Sequence, residues 1–333
     1  MEKDNRTLSV DIVKGILIIL VVVAHAQTDI VHDIIFMFHM PLFFVISGFL
    51  MRREKLLKTG YVSGKIKHLM IPYIIYLVLD MVLIRKTLSV HDWIYALWGG
   101  RAVTGVYWYI TCFLFTMFLL SDLLEKFSDR TIKGIVLMGG GIAVIESHLV
   151  DKIHLLQSPG TPWNLDVSLM ALVYVGIGFF YKQQIKKWIE EHKKKYDIIA
   201  GLITSGLIAF CWFIYRDGNR LYYFDMKPVY YKELISALLI PCAFGMTLVR
   251  LVHWIGKIKW LDGVNQVLAL CGQATIPIMF MHIPLNHWKT ELAYGRSVYV
   301  LIGVGIPVVF TVLFNKNKVM RKLFGLPDLE KFG

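Results

Sequence analysis

Long apolar segments recur along the whole chain, and short polar segments separate them. An apolar run of about 18 or more residues is long enough to cross a bilayer as a helix. The pattern therefore predicts an all-α, polytopic membrane protein with about ten transmembrane helices. No linker or shift in composition divides the chain, so residues 1–333 are predicted to form a single integral membrane domain. The predicted spans cover residues 8–27, 31–51, 69–85, 106–125, 132–149, 165–181, 197–215, 232–252, 266–286 and 297–314.

The first apolar segment carries ionisable residues on one side of its predicted helix. Lys14 and His25 are eleven residues apart, which at about 100° per residue is three turns plus roughly 20°. Both side chains therefore leave the helix in nearly the same direction, about 16 Å apart along its axis. Asp11, three residues before Lys14, lies on the same side and can pair with it. Because a polar stripe is costly in lipid, we expect this face to line a protein interior or a water-filled cleft.

Composition and charge agree with a membrane protein. The chain is 56% hydrophobic, with a mean hydropathy of +0.57. Its net charge is +12, but most of the 36 lysine and arginine residues fall in the terminal segments and in every second connection. This asymmetry follows the positive-inside rule and predicts that both termini are cytoplasmic in the cell (plasma or inner) membrane. Orientation and contact with anionic lipid account for the charge, so no nucleic-acid partner is expected.

The second span contains another histidine at depth. His39 lies two residues before Pro41, whose missing N–H leaves a backbone carbonyl without its helical donor. His39 either caps carbonyls freed at this kink or approaches His25 from the neighbouring helix. Both alternatives remain open from the sequence.

A cationic cluster precedes the third span. Lys65, Lys67 and His68 suit binding of phosphate groups at a helix start. The positive-inside bias alone also produces such a cluster.

Several residues near the ends of later spans are candidates for substrate contacts. Aromatic residues there also serve as interface anchors, and acidic residues at span ends are commonly interfacial. His282 either packs in the core or lines the cleft at the level of His25. The candidates are Trp108, Tyr109, Trp163, Asp166 and His282.

Two outer connections, residues 92–100 and 216–231, are rich in aromatic residues. They either cap an outward cleft or lie in an interfacial aromatic belt. The four cysteines lie in apolar spans without paired spacing, so neither a disulfide nor a metal site is predicted.

Taken together, these residues resemble the acyltransferase 3 family of integral membrane acyltransferases, especially its fucose-4-O-acetylase-like branch. In that family the histidine of the first motif is considered catalytic and the basic residue essential, which implies these roles for His25 and Lys14. The family often has arginine where this chain has Lys14, and Arg-x-x-Arg where it has Lys65-x-x-His68. Lysine lacks the bidentate fork of arginine. The resemblance covers essentially the whole chain and rests on Asp11, Lys14-Gly15, His25, HMPLFFVISGF at 39–49, Lys65–Tyr73, Trp108-Tyr109-Ile110, Trp163–Asp166 and ATIPIMFMHIPL at 274–285.

The resemblance implies an O-acyltransferase that moves an acyl group, expected to be acetyl, from cytoplasmic acyl-CoA to a glycan hydroxyl. The acceptor would be a cell-envelope or exopolysaccharide glycan or its lipid-linked precursor. His25 would act as general base or acyl relay, with His39 nearby and Asp11 holding Lys14. The CoA phosphates would bind Lys14 and the cluster before the third span, and the arm of CoA would follow a groove from Lys14 to His25. A transporter or flippase without covalent chemistry is the alternative, and an accessory protein of a polysaccharide machine is a third.

Overall fold

The computed structural model describes residues 2–329 apart from 27, 87–88, 100–104, 154–155, 157–159, 192, 217–221 and 232, and it describes side chains from Leu8 onward. These residues are almost entirely helical, and their β-structure is limited to one isolated bridge between Asp225 and Tyr230. Two segments, Asp80–Ile84 and Leu301–Gly305, are single π-helical turns. The helices are α1 (Glu2–His25), α2 (Ile30–Phe36), α3 (His39–Leu50), α4 (Arg53–Leu56), α5 (Tyr61–Leu79), α6 (Val90–Leu97), α7 (Tyr107–Lys126), α8 (Asp129–Leu149), α9 (Leu165–Phe180), α10 (Lys182–Glu190), α11 (Lys194–Tyr215), α12 (Leu234–Ile255), α13 (Asp262–Gln273), α14 (Thr275–Leu285), α15 (Lys289–Leu292), α16 (Arg296–Val300), α17 (Ile306–Phe314) and α18 (Lys318–Phe324).

The helices confirm the polytopic all-α prediction. Within the described ranges, nine helical segments are long and apolar enough to span a membrane. A tenth consists of two helices, Lys259–Gln273 and Thr275–Leu285, that meet at 80°. The expected continuous span over 266–286 is therefore wrong in shape, although its position is correct.

Two spans break in the same way, immediately before a helix whose third residue is proline. α3 begins His39-Met40-Pro41, and α14 begins Thr275-Ile276-Pro277. Proline is tolerated in the first turn of a helix because the N–H groups there have no helical acceptor. In a helix continuing from the preceding segment, the same proline would remove a hydrogen bond and clash with a carbonyl. Each proline therefore favours the start of a new helix over the continuation of the preceding one.

The first span packs directly against α13 through glycine. A Cβ atom built on Gly272 would lie 1.9 Å from the carbonyl oxygen of Asp11, and one built on Gly15 would lie 1.8 Å from that of Leu268. Only glycine permits such a close approach of two backbones in a membrane bundle. The Asp11 and Lys14 side of α1 therefore faces another helix at this depth.

Candidate functional site

A cavity of about 350 Å³, here called the histidine cavity, lies between the first two spans, α14 and the start of α7. α1 contributes Ile18, Val21 and His25 to its lining, and α14 contributes Met279 and Ile283. Its volume lies within the range of about 300–1,000 Å³ that is usual for small-molecule sites. The cavity therefore has room for the reacting ends of two substrates.

His25 lines the histidine cavity with its ring orientation fixed by the backbone. Its Nδ1 lies 2.8 Å from the carbonyl oxygen of Val21, one turn earlier. A carbonyl oxygen only accepts hydrogen bonds, so Nδ1 carries the proton and donates it. The lone pair of the neutral ring is then on Nε2, which is the atom needed by a general base or nucleophile.

The break between α2 and α3 brings two more histidines to the cavity. His39 donates from Nδ1 to the carbonyl oxygen of Ile35 at 2.8 Å and also lines the cavity. His39 therefore lines the same cavity as His25, and the carbonyl that it binds is that of Ile35 and not that of Met37, four residues before Pro41. The ring of Phe36 lies among three imidazoles, with its centroid 5.7 Å from that of His25, 4.0 Å from that of His32 and 4.7 Å from that of His39. The sequence analysis did not predict His32 as a site residue, because it lies near the start of the second span and outside the HMPLFFVISGF motif at 39–49.

His282 lies against His25. It is fully buried, its ring centroid is 5.0 Å from that of His25, and its Nδ1 donates to the carbonyl oxygen of Ile278 at 2.9 Å. Its Nε2 has no hydrogen-bond partner among the described residues. His282 does not itself line the histidine cavity, so the packing alternative describes its position.

The connection between α11 and α12 folds inward over the histidine cavity. Phe224, Met226 and Tyr231 are buried, and Asp225 and Lys227 line the cavity. The sequence predicted that residues 216–231 either cap a cleft or lie in an interfacial aromatic belt. The described residues of this segment form a cap over the histidine cavity. Neither Asp225 nor Lys227 was predicted to be a site residue. The sequence does show an acidic and a basic residue among the aromatic residues of this segment.

Asp225 is held rigidly in this cap. One carboxylate oxygen accepts a hydrogen bond from the backbone N–H of Lys227 at 3.0 Å, and the other accepts one from the Tyr223 hydroxyl at 3.3 Å. Burial removes water from the carboxylate and raises the pKa of Asp225 to about 6, against the opposing effect of these hydrogen bonds and of the Lys227 charge. The cavity therefore contains an acid that titrates not far below neutral pH.

The predicted aromatic candidates separate into two groups. Trp108 and Tyr109 line the histidine cavity at the start of α7. Trp163 is 40% exposed, and Asp166 is buried and accepts a hydrogen bond from the N–H of Val167 at 2.8 Å; neither lines the cavity.

Asn164, which lies between these last two candidates, connects them to the cavity wall. Its side-chain amide donates to Thr111 Oγ1 at 2.7 Å and to the carbonyl oxygens of Gly99 at 3.0 Å and Trp108 at 3.3 Å. This stretch of sequence therefore supports the start of α7 from behind.

Lys14 and Asp11 form the ion pair that their spacing allows, with 3.0 Å between Nζ and Oδ1. Asp11 Oδ2 also accepts a hydrogen bond from Gln273 Nε2 at 3.2 Å. The histidine cavity ends at Ile18 and Thr275 and does not reach Lys14. The expected groove from Lys14 to His25 is not part of this cavity and stays a prediction.

The remaining cationic candidates lie elsewhere on the molecule. Lys65, Lys67 and His68 are exposed on α5, which packs against α7 and α18, and none of them lines the histidine cavity. Among the residues that the structure describes, no group of three or more His, Cys, Asp or Glu side chains is placed to hold a metal ion.

The fold and the site define a class of protein: a multi-pass helical membrane protein with a histidine-lined cavity next to its first span. The acyltransferase domain family (Acyl_transf_3) matches residues 7–316, and the chain belongs to this family. It is 32% identical over 147 residues to nodulation protein NolL of Mesorhizobium japonicum, which is 39% of either chain. It is also 32% identical over 142 residues to nodulation protein NolL of Sinorhizobium fredii, 38% of either chain.

These matches span about two fifths of the length of the curated relatives. No solved structure matches the chain. The fucose-4-O-acetylase-like branch stays a prediction.

Proposed function

We propose that this protein is a membrane O-acyltransferase of a single integral domain in the cell (plasma or inner) membrane. It moves an acyl group, acetyl in the first instance, from cytoplasmic acyl-CoA to a hydroxyl of a cell-envelope or exopolysaccharide glycan or its lipid-linked precursor. The observation that carries this function is the orientation of His25, whose Nδ1 is bound to the backbone of its own helix. Its Nε2 lone pair is thereby left for chemistry in the histidine cavity.

In the general-base route, Nε2 of His25 takes the proton of the acceptor hydroxyl while the oxygen attacks the thioester carbonyl. The carbon–sulfur bond then breaks, and the proton passes to the departing CoA thiolate, which leaves as free thiol. In the relay route, Nε2 attacks the thioester carbonyl, the carbon–sulfur bond breaks and CoA leaves as thiolate. The acceptor oxygen then takes the acyl group from Nε2, and the hydroxyl proton passes to the thiolate. Both routes produce one acyl ester and one CoA thiol per turnover. His282, packed against the His25 ring, acts as a positioning residue.

The acceptor binds on the side of the cavity that the α11–α12 cap covers. Phe36, Trp108 and Tyr109 offer aromatic faces, which suit the apolar side of a sugar ring. Asp225 and Lys227 offer hydrogen-bonding groups for its hydroxyls. Trp163 and Asp166 support this wall through Asn164 rather than by contact.

The donor binds from the end of the bundle where α1 begins, which is cytoplasmic under the positive-inside assignment. Lys14 and the exposed cluster Lys65, Lys67 and His68 supply positive charge for the CoA phosphates. The arm of CoA follows the side of α1 that carries Lys14 and His25, which lie about 16 Å apart along the helix axis.

The test uses the purified full-length protein in nanodiscs with acetyl-CoA and a panel of envelope glycans. Release of CoA thiol should require an acceptor, and the acceptor should gain the mass of one acetyl group. Movement of a glycan across the bilayer without any thiol release would establish the transporter alternative instead.

A further inference from the structure

A second cavity lies toward the opposite ends of α1 and α3 from the histidine cavity. It has a volume of about 440 Å³, and we call it the α10 cavity because that short helix forms one side. Its walls are almost entirely apolar. They include Val10 and Val13 of α1, Phe49 of α3 and Val249 of α12.

The α10 side of this cavity is fastened in place. Trp188 donates from its indole nitrogen to the carbonyl oxygen of Met246 at 3.1 Å. Arg250, which is only 2% exposed, donates to the carbonyl oxygens of Trp188 at 2.9 Å and Glu191 at 3.1 Å, and it pairs with Asp197. Since these bonds join α10 to α11 and α12, the cavity is a built feature of the fold and not a gap beneath a loose surface helix.

The mouth of the α10 cavity is cationic. Lys187 lines the cavity and is exposed, while Lys186 pairs with Glu190 at 3.5 Å and Lys182 donates to the carbonyl oxygen of Met51 at 2.9 Å. Residues 182–195 contain many more lysines than glutamates. Lysines beside a bilayer attract anionic headgroups. Lys187 therefore places positive charge at the opening of an apolar cavity.

We propose that the α10 cavity binds an anionic phospholipid of the adjoining leaflet, with one acyl chain in the cavity and the phosphate beside Lys187. A hydrocarbon chain matches the apolar walls, which offer few partners to the amide groups of a CoA arm. The phosphate matches the charge at the mouth. This site is separate from the histidine cavity and does not depend on acyl transfer.

The experiment uses full-length protein in nanodiscs with phosphatidylglycerol carrying a photoreactive diazirine at the end of one chain. After illumination, peptide mass spectrometry should find the label on cavity-facing residues such as Val45, Phe49 and Val249. Val249→Trp fills the cavity and should abolish this labelling. The control is Leu251→Trp, two residues further along α12, where the native side chain is 50% exposed. This variant should preserve the labelling.

The headgroup is tested with Lys187→Gln, which leaves the apolar walls intact. We expect about a fivefold loss of phosphatidylglycerol binding, the effect of one lysine beside a membrane surface, and no loss with the exposed Lys194→Gln. The comparison of Lys187→Gln with Lys194→Gln also tests the phospholipid site if Val249→Trp does not fold. Label spread evenly over the lipid-facing helices, equal labelling by a phosphatidylcholine probe, or displacement by polyprenyl phosphate at lower concentration than by phosphatidylglycerol would each overturn the assignment.

Discussion

The imidazoles of His25 and His282 lie edge to face, with 5.0 Å between their centroids. Each ring donates from Nδ1 to the carbonyl oxygen of the residue four positions earlier in its own helix. Two independent helices thus fix the same tautomer in two touching rings. The ring of His25 is held in place by its own backbone on one side and by His282 on another, which is the preorganisation that proton transfer requires.

Replacement of His25 by alanine should lower acyl transfer by about 10²–10⁴-fold, the usual contribution of a general base. Expression and thermal stability should change little. The matched control is His148→Ala. His148 makes the same Nδ1 hydrogen bond, to Val144 at 2.8 Å, but is exposed on α8. Thiol release with acceptor is the measurement, and near-normal turnover of the His25 variant would remove this residue from the mechanism.

Acyl transfer should decline as the pH falls through about 6. The pKa of Asp225 is raised to about 6 by burial, so its carboxylate is ionised above that pH and becomes protonated below it. A protonated carboxyl accepts hydrogen bonds from the acceptor hydroxyls less well. The measurement is kcat/KM for the glycan between pH 5 and 8.

Asp225→Asn should remove this step from the pH profile and raise KM for the glycan. Glu291→Gln, at an exposed site on α15, should leave the profile unchanged. A wild-type profile that is flat across pH 6 contradicts the role of Asp225.

The pair formed by Lys14 and Asp11 should behave as a unit. Their side chains are 23% and 11% exposed, so either charge left alone is poorly solvated. Lys14→Met and Asp11→Asn should each cost about 1–3 kcal/mol in the free energy of unfolding. The double variant should cost less than the sum of the two. Additive losses in a double-mutant cycle would show that the pair does not couple.

Gly272→Ala should destabilise the protein, because its Cβ would meet the carbonyl oxygen of Asp11. Forcing atoms into a packed interface costs about 1–3 kcal/mol. Gly141→Ala is the control, since a Cβ there has no neighbour within 4 Å and alanine favours a helix. Thermal unfolding in detergent should rank the control at or above wild type. The reverse order would contradict the close contact of α1 with α13.

The placement of both termini in the cytoplasm is testable by cysteine labelling. In a background without the four native cysteines, Lys318→Cys should resist a membrane-impermeant maleimide in intact spheroplasts and react after lysis. Lys152→Cys, between α8 and α9, should react in both. The opposite pattern would invert the assigned orientation and with it the side from which the donor enters.

The sequence predicted the spans because a segment within lipid must satisfy its backbone hydrogen bonds as a helix and present apolar side chains. Long apolar runs are the direct result of that requirement. The sequence also predicted that His25 and Lys14 share a helix face, because helical spacing alone decides that. It did not predict that Gly272 would cover this face beside Lys14, since no pattern within α1 encodes which helix packs on it. Asp225 and Lys227 were missed for a related reason. They lie in an irregular segment, where no periodicity indicates what the side chains contact.

The two cavities end close to each other in depth. The histidine cavity reaches Ile18 on α1 and the α10 cavity reaches Val13, five residues or about 7.5 Å lower along the helix. Little more than one helical turn of α1 therefore separates the two cavities. A side chain that is replaced within this short stretch of α1 is therefore expected to affect both cavities at once.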